Sequence, residues 1–299
     1  MVDKMNFDGF KEYVKAEVKN YLPVTYLNAE VCIKDVVKLD EQYTGMMVRR
    51  EEDVSSPIIN LDAFYAQLAY HSLEATLEQI ARVITMSVLD ADDLTSLDDY
   101  EKIKRQLFMR LSPVDGNDAI MNDSPHKVVG DILITYHVYL PSEAGGFYSA
   151  RVTNQLMESF KVTIDDLHKT AKENTPKLFN PTVQSLVEML TGGKEEDPTF
   201  MVVSNDEGVF GANTLFCGTM MDDIADLVQG SYYAIPSSIH EWLVIPSGRF
   251  TAYELKQMVE SANRTVVKPE DILSYNVYHY DAEAKVFAIA DVSKEEASA

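Results

Sequence analysis

Phe7, Phe10, Val14, Val18 and Tyr21 recur at spacings of three and four, with Lys11, Glu12, Lys15, Glu17 and Lys19 on the other faces. That period predicts an amphipathic helix with one buried stripe, ended by Pro23. Ala29 to Leu39 and Tyr43 to Glu51 alternate valine, isoleucine and methionine with charge around Asp40-Glu41-Gln42, which predicts a hairpin. Helical spacing returns from Leu61 to Leu89, with a break at His71-Ser72, and again from Asp98 to Arg105 behind a Ser96 cap and the acidic loop Asp90 to Asp99. Val128 to Leu140 and Gly146 to Thr153 predict a second hairpin across Pro141-Ser142-Glu143-Ala144-Gly145. Helices over Asn154 to Phe160 and from Thr163 to about Glu173, ended before Pro176, follow it.

The last hundred residues run strand, helix, two strands, helix, two strands. The strands are Phe200 to Ser204, Tyr232 to Ile235, Trp242 to Ile245, Tyr275 to Tyr280 and Val286 to Ile289. The helices are Ala212 to Val228 and the run to Asn263 that opens on the capping box Thr251-Ala252-Tyr253-Glu254. The closing pair of strands turns at Asp281-Ala282-Glu283-Ala284, and Lys294 to Ala299 is expected to fray. Short connections imply antiparallel pairing. The predicted fold is therefore α+β, antiparallel hairpins and a mixed sheet packed with helices, in two lobes. Thr191-Gly192-Gly193-Lys194-Glu195-Glu196-Asp197-Pro198 is polar and has no apolar anchor, so the lobes are placed at 1–191 and 199–299.

Composition adds an exclusion. The 299 residues carry 26 Lys plus Arg against 48 Asp plus Glu, a formal charge of −22. Such a surface repels nucleic-acid backbones and anionic membranes, which need a basic face. No run approaches the roughly 20 apolar residues that span a bilayer. The start, charged by Asp3 and lacking an apolar stretch, does not resemble a secretion signal. Cys32 and Cys217 lie far apart and fit reduced, buried thiols rather than a disulfide framework or a zinc site. The protein is therefore read as cytoplasmic.

Chemistry is sparse. There is no phosphate-binding glycine loop, no nucleophile elbow, no HExxH and no CxxC, so the motifs imply no cofactor and no metal. Asp90-Ala91-Asp92-Asp93 and Asp115-Gly116-Asn117-Asp118 lack the glycine and glutamate of a calcium loop. The densest polar cluster is Ile235-Pro236-Ser237-Ser238-Ile239-His240-Glu241-Trp242. Ser237, Ser238, His240 and Glu241 supply the hydroxyl, imidazole and carboxylate of a nucleophile set, or equally the hydrogen bonds of a structural turn. Gly208 and Gly211, before a predicted helix, could bring amides to an anion. Arg49 and Arg50 could read a carboxylate or phosphate, or guard a hairpin edge. His126 and His137 lack a neighbour at ligand spacing, and Met46-Met47 and Met220-Met221 fit core filler.

Several segments together carry a resemblance: Asn6 to Val14, Asp99 to Lys104, Asp123-Ser124-Pro125-His126, Val152-Thr153-Asn154, Ala171 to Pro176, and Ile235 to Glu241. The chain resembles an uncharacterised bacterial family of cytoplasmic proteins, domain of unknown function 5688, common in gut anaerobes. The resemblance spans nearly the whole chain and implies an α+β protein, with no activity, cofactor or catalytic residue to carry over. Three functions stay open. They are a non-catalytic binding or adaptor protein with a protein partner, a small-molecule hydrolase or transferase built on Ser237, Ser238, His240 and Glu241, and an acidic decoy for a DNA-binding protein. The missing catalytic signatures favour the first, so enzymatic activity is not expected.

Overall fold

The computed structural model describes residues 5–38, 41–50, 58–68, 71–86, 99–141, 147–193 and 195–292. The expected Ser96 cap, the acidic loop before Asp99, the ends of the two hairpin turns at Asp40 and at Ser142 to Gly145, the helical run past Met86 and the fraying tail lie outside these residues. The described residues divide into two compact units, one ending at Asp99 and the other starting at Tyr100.

In the first unit, helix α1 (Phe7–Glu17) starts where the Asn6 side chain accepts the Gly9 amide at 2.8 Å. Strands β1 (Glu30–Lys38), β2 (Glu41–Arg49) and β3 (Ile58–Asn60) form an antiparallel sheet in that order. Helices α2 (Leu61–Gln67) and α3 (Leu73–Met86) follow, separated near His71 as the spacing predicted. Phe10, Val14, Met46, Val48, Leu77 and Ile80 are buried together, which joins the stripe of α1 to the sheet and α3.

The second unit holds two sheets. Helix α4 (Tyr100–Ile103) leads to β4 (Leu107–Pro113), then α5 (Asp118–Asp123), β5 (His126–Val129), β6 (Ile132–Pro141) and β7 (Phe147–Arg151). β6 pairs with β4 along one edge, while β5 and β7 share its other edge in succession. The expected strand over Val128 to Leu140 is thus two strands. They fold back at Gly130, whose φ of +63° and whose tight approach to Tyr278 suit no side chain; an added Cβ would lie 2.8 Å from the Tyr278 hydroxyl.

Helices α6 (Asn154–Phe160) and α7 (Ile164–Leu178) come next, α7 opening on a capping box made by Thr163 and Asp166. α7 does not stop before Pro176. The Thr175 hydroxyl donates to the Ala171 carbonyl at 2.7 Å and accepts the Met109 amide at 3.0 Å, so β4 holds the last turn in place. The Asn213 side chain donates to the Met109 carbonyl at 2.7 Å, and the open edge of β4 is satisfied on both its groups there.

The six-stranded sheet runs β13-β12-β10-β11-β9-β8. Its members are β8 (Pro181–Ser185), β9 (Met201–Asn205), β10 (Tyr232–Ser238), β11 (Glu241–Pro246), β12 (Tyr278–Asp281) and β13 (Val286–Ile289). Between β8 and β9 lies α8 (Leu186–Thr191). β8 pairs with β9 in register, so the connection expected to separate two lobes at 191–199 runs between neighbouring strands of one sheet. Every pairing among the described residues is antiparallel, which corrects the mixed sheet: β11 lies between β9 and β10, keeping apart the two strands that run the same way. The helix expected over Ala212 to Val228 is a 3-10 turn (Gly211–Phe216) and then α9 (Met220–Val228), broken at Cys217 to Thr219. β12 starts at Tyr278 rather than Tyr275.

On one face of this sheet, α10 (Ala252–Thr265) packs Leu255 and Val259 on Ile235, Ile245 and Val277, its start fixed by the Thr251 and Glu254 capping box. On the other, Trp242 packs edge-on to Tyr278 at 5.6 Å and to Phe287 at 5.9 Å. The Trp242 indole donates to the Ala212 carbonyl at 2.8 Å, so the 3-10 turn ties this face to β4. Among the described residues no helix is long and apolar enough to cross a membrane.

Candidate functional site

β10 bulges between Pro236 and Ser238 and returns as β11 at Glu241. Ser238 closes the turn, its hydroxyl accepting the His240 amide at 3.0 Å. The Ser204 hydroxyl donates to the His240 carbonyl at 2.8 Å, and the Ile239 amide donates to the Asp271 carbonyl at 2.8 Å. The turn is held from both sides. Gly211 packs beneath it so closely that a Cβ there would lie 2.3 Å from both the His240 carbonyl oxygen and the Ser204 hydroxyl. That contact, and the Ala212 amide donating to Ile239, is how the structure uses the glycine expected at an anion site. Gly208 sits in the preceding turn, its amide donating to the Asn205 carbonyl.

The His240 imidazole has a partner on each nitrogen. Nδ1 accepts the Phe210 amide at 3.2 Å, which assigns the ring proton to Nε2, and Nε2 lies 3.4 Å from the Asp271 carboxylate. Neither serine hydroxyl is hydrogen-bonded to the imidazole. Ser237 and Glu241 flank the turn, half-buried, Glu241 opening β11.

From His240 the geometry leads onward to a centre that sequence reasoning missed. Phe210 stacks on His240 with ring centroids 6.4 Å apart and takes a φ of +55°, a left-handed backbone that costs a non-glycine residue about 1–3 kcal/mol. It is held there by the His240 bond and by the Arg110 guanidinium, whose Cζ lies over the ring 4.2 Å from its centroid. Arg110 lies on β4 opposite Thr135 of β6, which in turn faces His126 of β5. Two residues along, His137 of β6 faces Phe108 on one side and Arg151 of β7 on the other. Strand alternation puts all of these on one face, with Arg110 and Arg151 bracketing His137.

This face is polar and deep. His137 is 2% exposed, its Nε2 pairs with the Thr135 hydroxyl at 3.1 Å, and its Nδ1 is buried with no hydrogen-bond partner. Burial holds the His137 pKa well below the ordinary histidine range, and the Arg110 and Arg151 charges push the same way. Arg151 reaches Asp123 at 3.2 Å through Nη2, while Nη1 is buried without a partner. His126 turns its Nδ1 to the Ser124 carbonyl at 2.9 Å. The signal was present in the strands: in β4 and β6 the polar residues Arg110, Ser112, Thr135 and His137 share one parity against Met109, Leu111, Ile134 and Tyr136 on the other.

Arg49 and Arg50 belong to the first unit. Arg49 ends β2 opposite Glu30, and the Arg50 guanidinium lies 4.8 Å over the Tyr26 ring. Cys217 is buried and its thiol is pushed up to about 12 by desolvation; Cys32 is half-buried. No group of three His, Cys, Asp or Glu side chains converges as a metal site among the described residues.

Comparison with family models matches residues 7–282 to a family of unknown function, DUF5688, and the chain belongs to that family. Neither the curated proteins nor the solved structures give a match.

Proposed function

We propose that this DUF5688 member is a non-catalytic binding or adaptor protein of the bacterial cytoplasm, and that the polar face of its β4 to β7 sheet takes an oxyanion, the phosphate or carboxylate of a small molecule or of a protein partner. The observation that carries the reading is the placement of Arg110 and Arg151 on either side of the buried His137. Two guanidinium groups on one face offer paired donors to a planar or tetrahedral oxyanion. In a chain of charge −22 this concentration of cations is a local reversal. His137, kept neutral, adds a nitrogen without adding charge. Cys32 and Cys217 are both free thiols, which supports the cytoplasmic setting.

The hydrolase alternative needs His240 to take a proton from Ser237 or Ser238. With Nδ1 given to Phe210 and Nε2 facing Asp271, the imidazole serves as a hinge between the turn and Phe210, which argues for the structural role. No observation favours the decoy.

Calorimetric titration with inorganic phosphate tests the reading. Single-site binding is expected, weakened about tenfold or more by Arg151→Gln and by Arg110→Gln, the loss of roughly 1.4 kcal/mol that one charge-assisted contact represents. Equal binding by wild type and both variants would refute it. A fluorophosphonate probe that labels Ser237 or Ser238 in the native protein, and fails on His240→Ala, would put the hydrolase in its place.

A further inference from the structure

The opposite, apolar side of the β4 to β7 sheet carries a second feature. A cavity of about 340 Å³ opens where β5 and α7 meet the 3-10 turn, the start of α9 and the β12 to β13 hairpin. Its apolar wall is made by Val129, Ile134, Leu215, Phe216 and Met221. Its polar wall is made by Lys127, His168, Lys172 and Lys285, with Asp222 as the one carboxylate among the lining residues.

The partners of these groups decide which of them faces a ligand. Lys127 pairs with Asp165 at 2.9 Å, outside the cavity wall. Asp222 is doubly engaged, accepting from the Tyr280 hydroxyl and pairing with Lys285 at 2.9 Å, and those two contacts hold its pKa below the ordinary carboxylate value. The one negative group is thereby compensated. Lys172 has no hydrogen-bond or ion-pair partner among the described residues. His168 uses Nδ1 on the Tyr136 hydroxyl at 3.2 Å, leaving Nε2 without a protein partner. Lys172 and His168 lie four residues apart on α7, one turn of the helix, and both reach the same wall. Met221 and Asp222 belong to the first turn of α9, whose positive end adds to the same field.

A concavity that sets an apolar wall against a few convergent polar groups is the ordinary form of a small-molecule site, and here Lys172 brings the positive charge while His168, its pKa lowered by burial, offers a hydrogen bond. We propose that this cavity binds a small organic anion with an apolar body, a medium-chain or aryl carboxylate, its acid group on Lys172 and His168 and its body against Ile134, Leu215 and Phe216. The site is independent of Arg110, His137 and Arg151, which lie on the other face of the sheet, so either reading stands without the other.

Octanoate, octanol and octylamine, each titrated against the full chain and followed by displacement of 1-anilinonaphthalene-8-sulfonate fluorescence, test the inference. Octanoate is expected to displace the dye about tenfold more effectively than octanol, with octylamine weaker still, the tenfold step being one ion pair's discrimination. Lys172→Gln is expected to remove that preference while leaving octanol unchanged, and Met221→Trp, which fills the cavity, to abolish displacement by all three. Arg151→Gln is expected to change nothing here, which separates this site from the phosphate site. Circular dichroism confirms that each variant is folded, and Lys172→Gln, at a half-buried helical position, carries the test if Met221→Trp does not fold. Octanoate binding that survives Lys172→Gln at full strength, equal displacement by octanoate and octanol, or no displacement by any of them would overturn the proposal.

Discussion

The two faces of the β4 to β7 sheet use the same strands at similar depth for opposite ends. On one, Met109, Leu111, Ile132, Ile134, Tyr136 and Val138 are all 2% exposed or less, and α7 packs on this side of β6 through Tyr136 and His168. On the other, Phe108, Ser112, Thr135 and His137 are equally buried, yet they lie beside Arg110 and Arg151, and His137 Nδ1 and Arg151 Nη1 are buried without a hydrogen-bond partner. Burying apolar surface is favourable by itself. Burying an imidazole between two guanidinium groups is unfavourable. A fold that needed only a core gains nothing from this arrangement, and the proposed oxyanion site accounts for it.

The comparison breaks most visibly if the faces respond alike to truncation. Ile134→Ala is expected to cost about 2–5 kcal/mol in urea unfolding, through lost transfer energy and the space left behind. His137→Leu, similar in bulk and free of the unpaired nitrogen, is expected to be neutral or stabilising while it weakens phosphate binding. If His137→Leu destabilises as much as Ile134→Ala, the polar face is structural.

How far the chain announced these faces depends on how far a signal travels. The α1 stripe, the His71 break and the Thr251 to Glu254 cap are local patterns, and each is legible over a few residues. β4 was missed because both of its faces are buried and Phe108 interrupts the polar parity that Arg110 and Ser112 carry, leaving a signal only two residues long. The turn at Gly130 hid inside an apolar run, where a single glycine was outweighed by its neighbours. Pro176 read as a stop, and only β4 bonding to Thr175 explains why α7 passes it. His240 was noticed for its neighbours Ser237 and Ser238, but its working partners, Phe210 and Asp271, lie on other elements. Arg110, His137 and Arg151 come from three strands, and nothing in the linear chain joins them before the register is known.

Acid sharpens the contrast next. The folded-state pKa of His137 is depressed, so below the unfolded value near 6.5 the unfolded chain binds a proton that the folded chain refuses. Stability is therefore full above pH 7 and falls as pH drops through 6.5, with a slope approaching about 1.4 kcal/mol per pH unit from this one group. His168, also lowered by burial, adds to the same trend. Thermal melts between pH 7.5 and 5 check this: His137→Leu should flatten the fall, and an unchanged slope in that variant would show that the buried imidazole is not what the fold resists protonating.

The turn supplies a smaller effect. His240→Ala removes a hydrogen bond to the Phe210 amide, a contact with Asp271 and a stacked ring, and is expected to cost about 1–3 kcal/mol. Because Phe210 loses the group that holds its left-handed backbone, Arg110 loses its aromatic support as well, and phosphate binding should weaken along with stability. A variant that loses stability and keeps full affinity would uncouple the turn from the polar face.

The smallest expected effect is at Asp123, and its sign is the informative part. The Arg151 to Asp123 pair is 3.2 Å long and its acidic side chain is 58% exposed, so solvent screens it and the pair is worth about 0.2–1 kcal/mol at most. Asp123→Asn should scarcely move the urea midpoint. The same carboxylate nonetheless competes with any incoming oxyanion for the Arg151 donors, and replacing it with a neutral amide removes that competitor while keeping a hydrogen-bond acceptor in reach. Phosphate should then bind up to about fivefold tighter, the equivalent of the roughly 1 kcal/mol the pair no longer withholds. Asp123→Asn that weakens phosphate binding would mean that Arg151 needs Asp123 to orient it, and the carboxylate would then be part of a preorganised ion-pair network rather than a competitor.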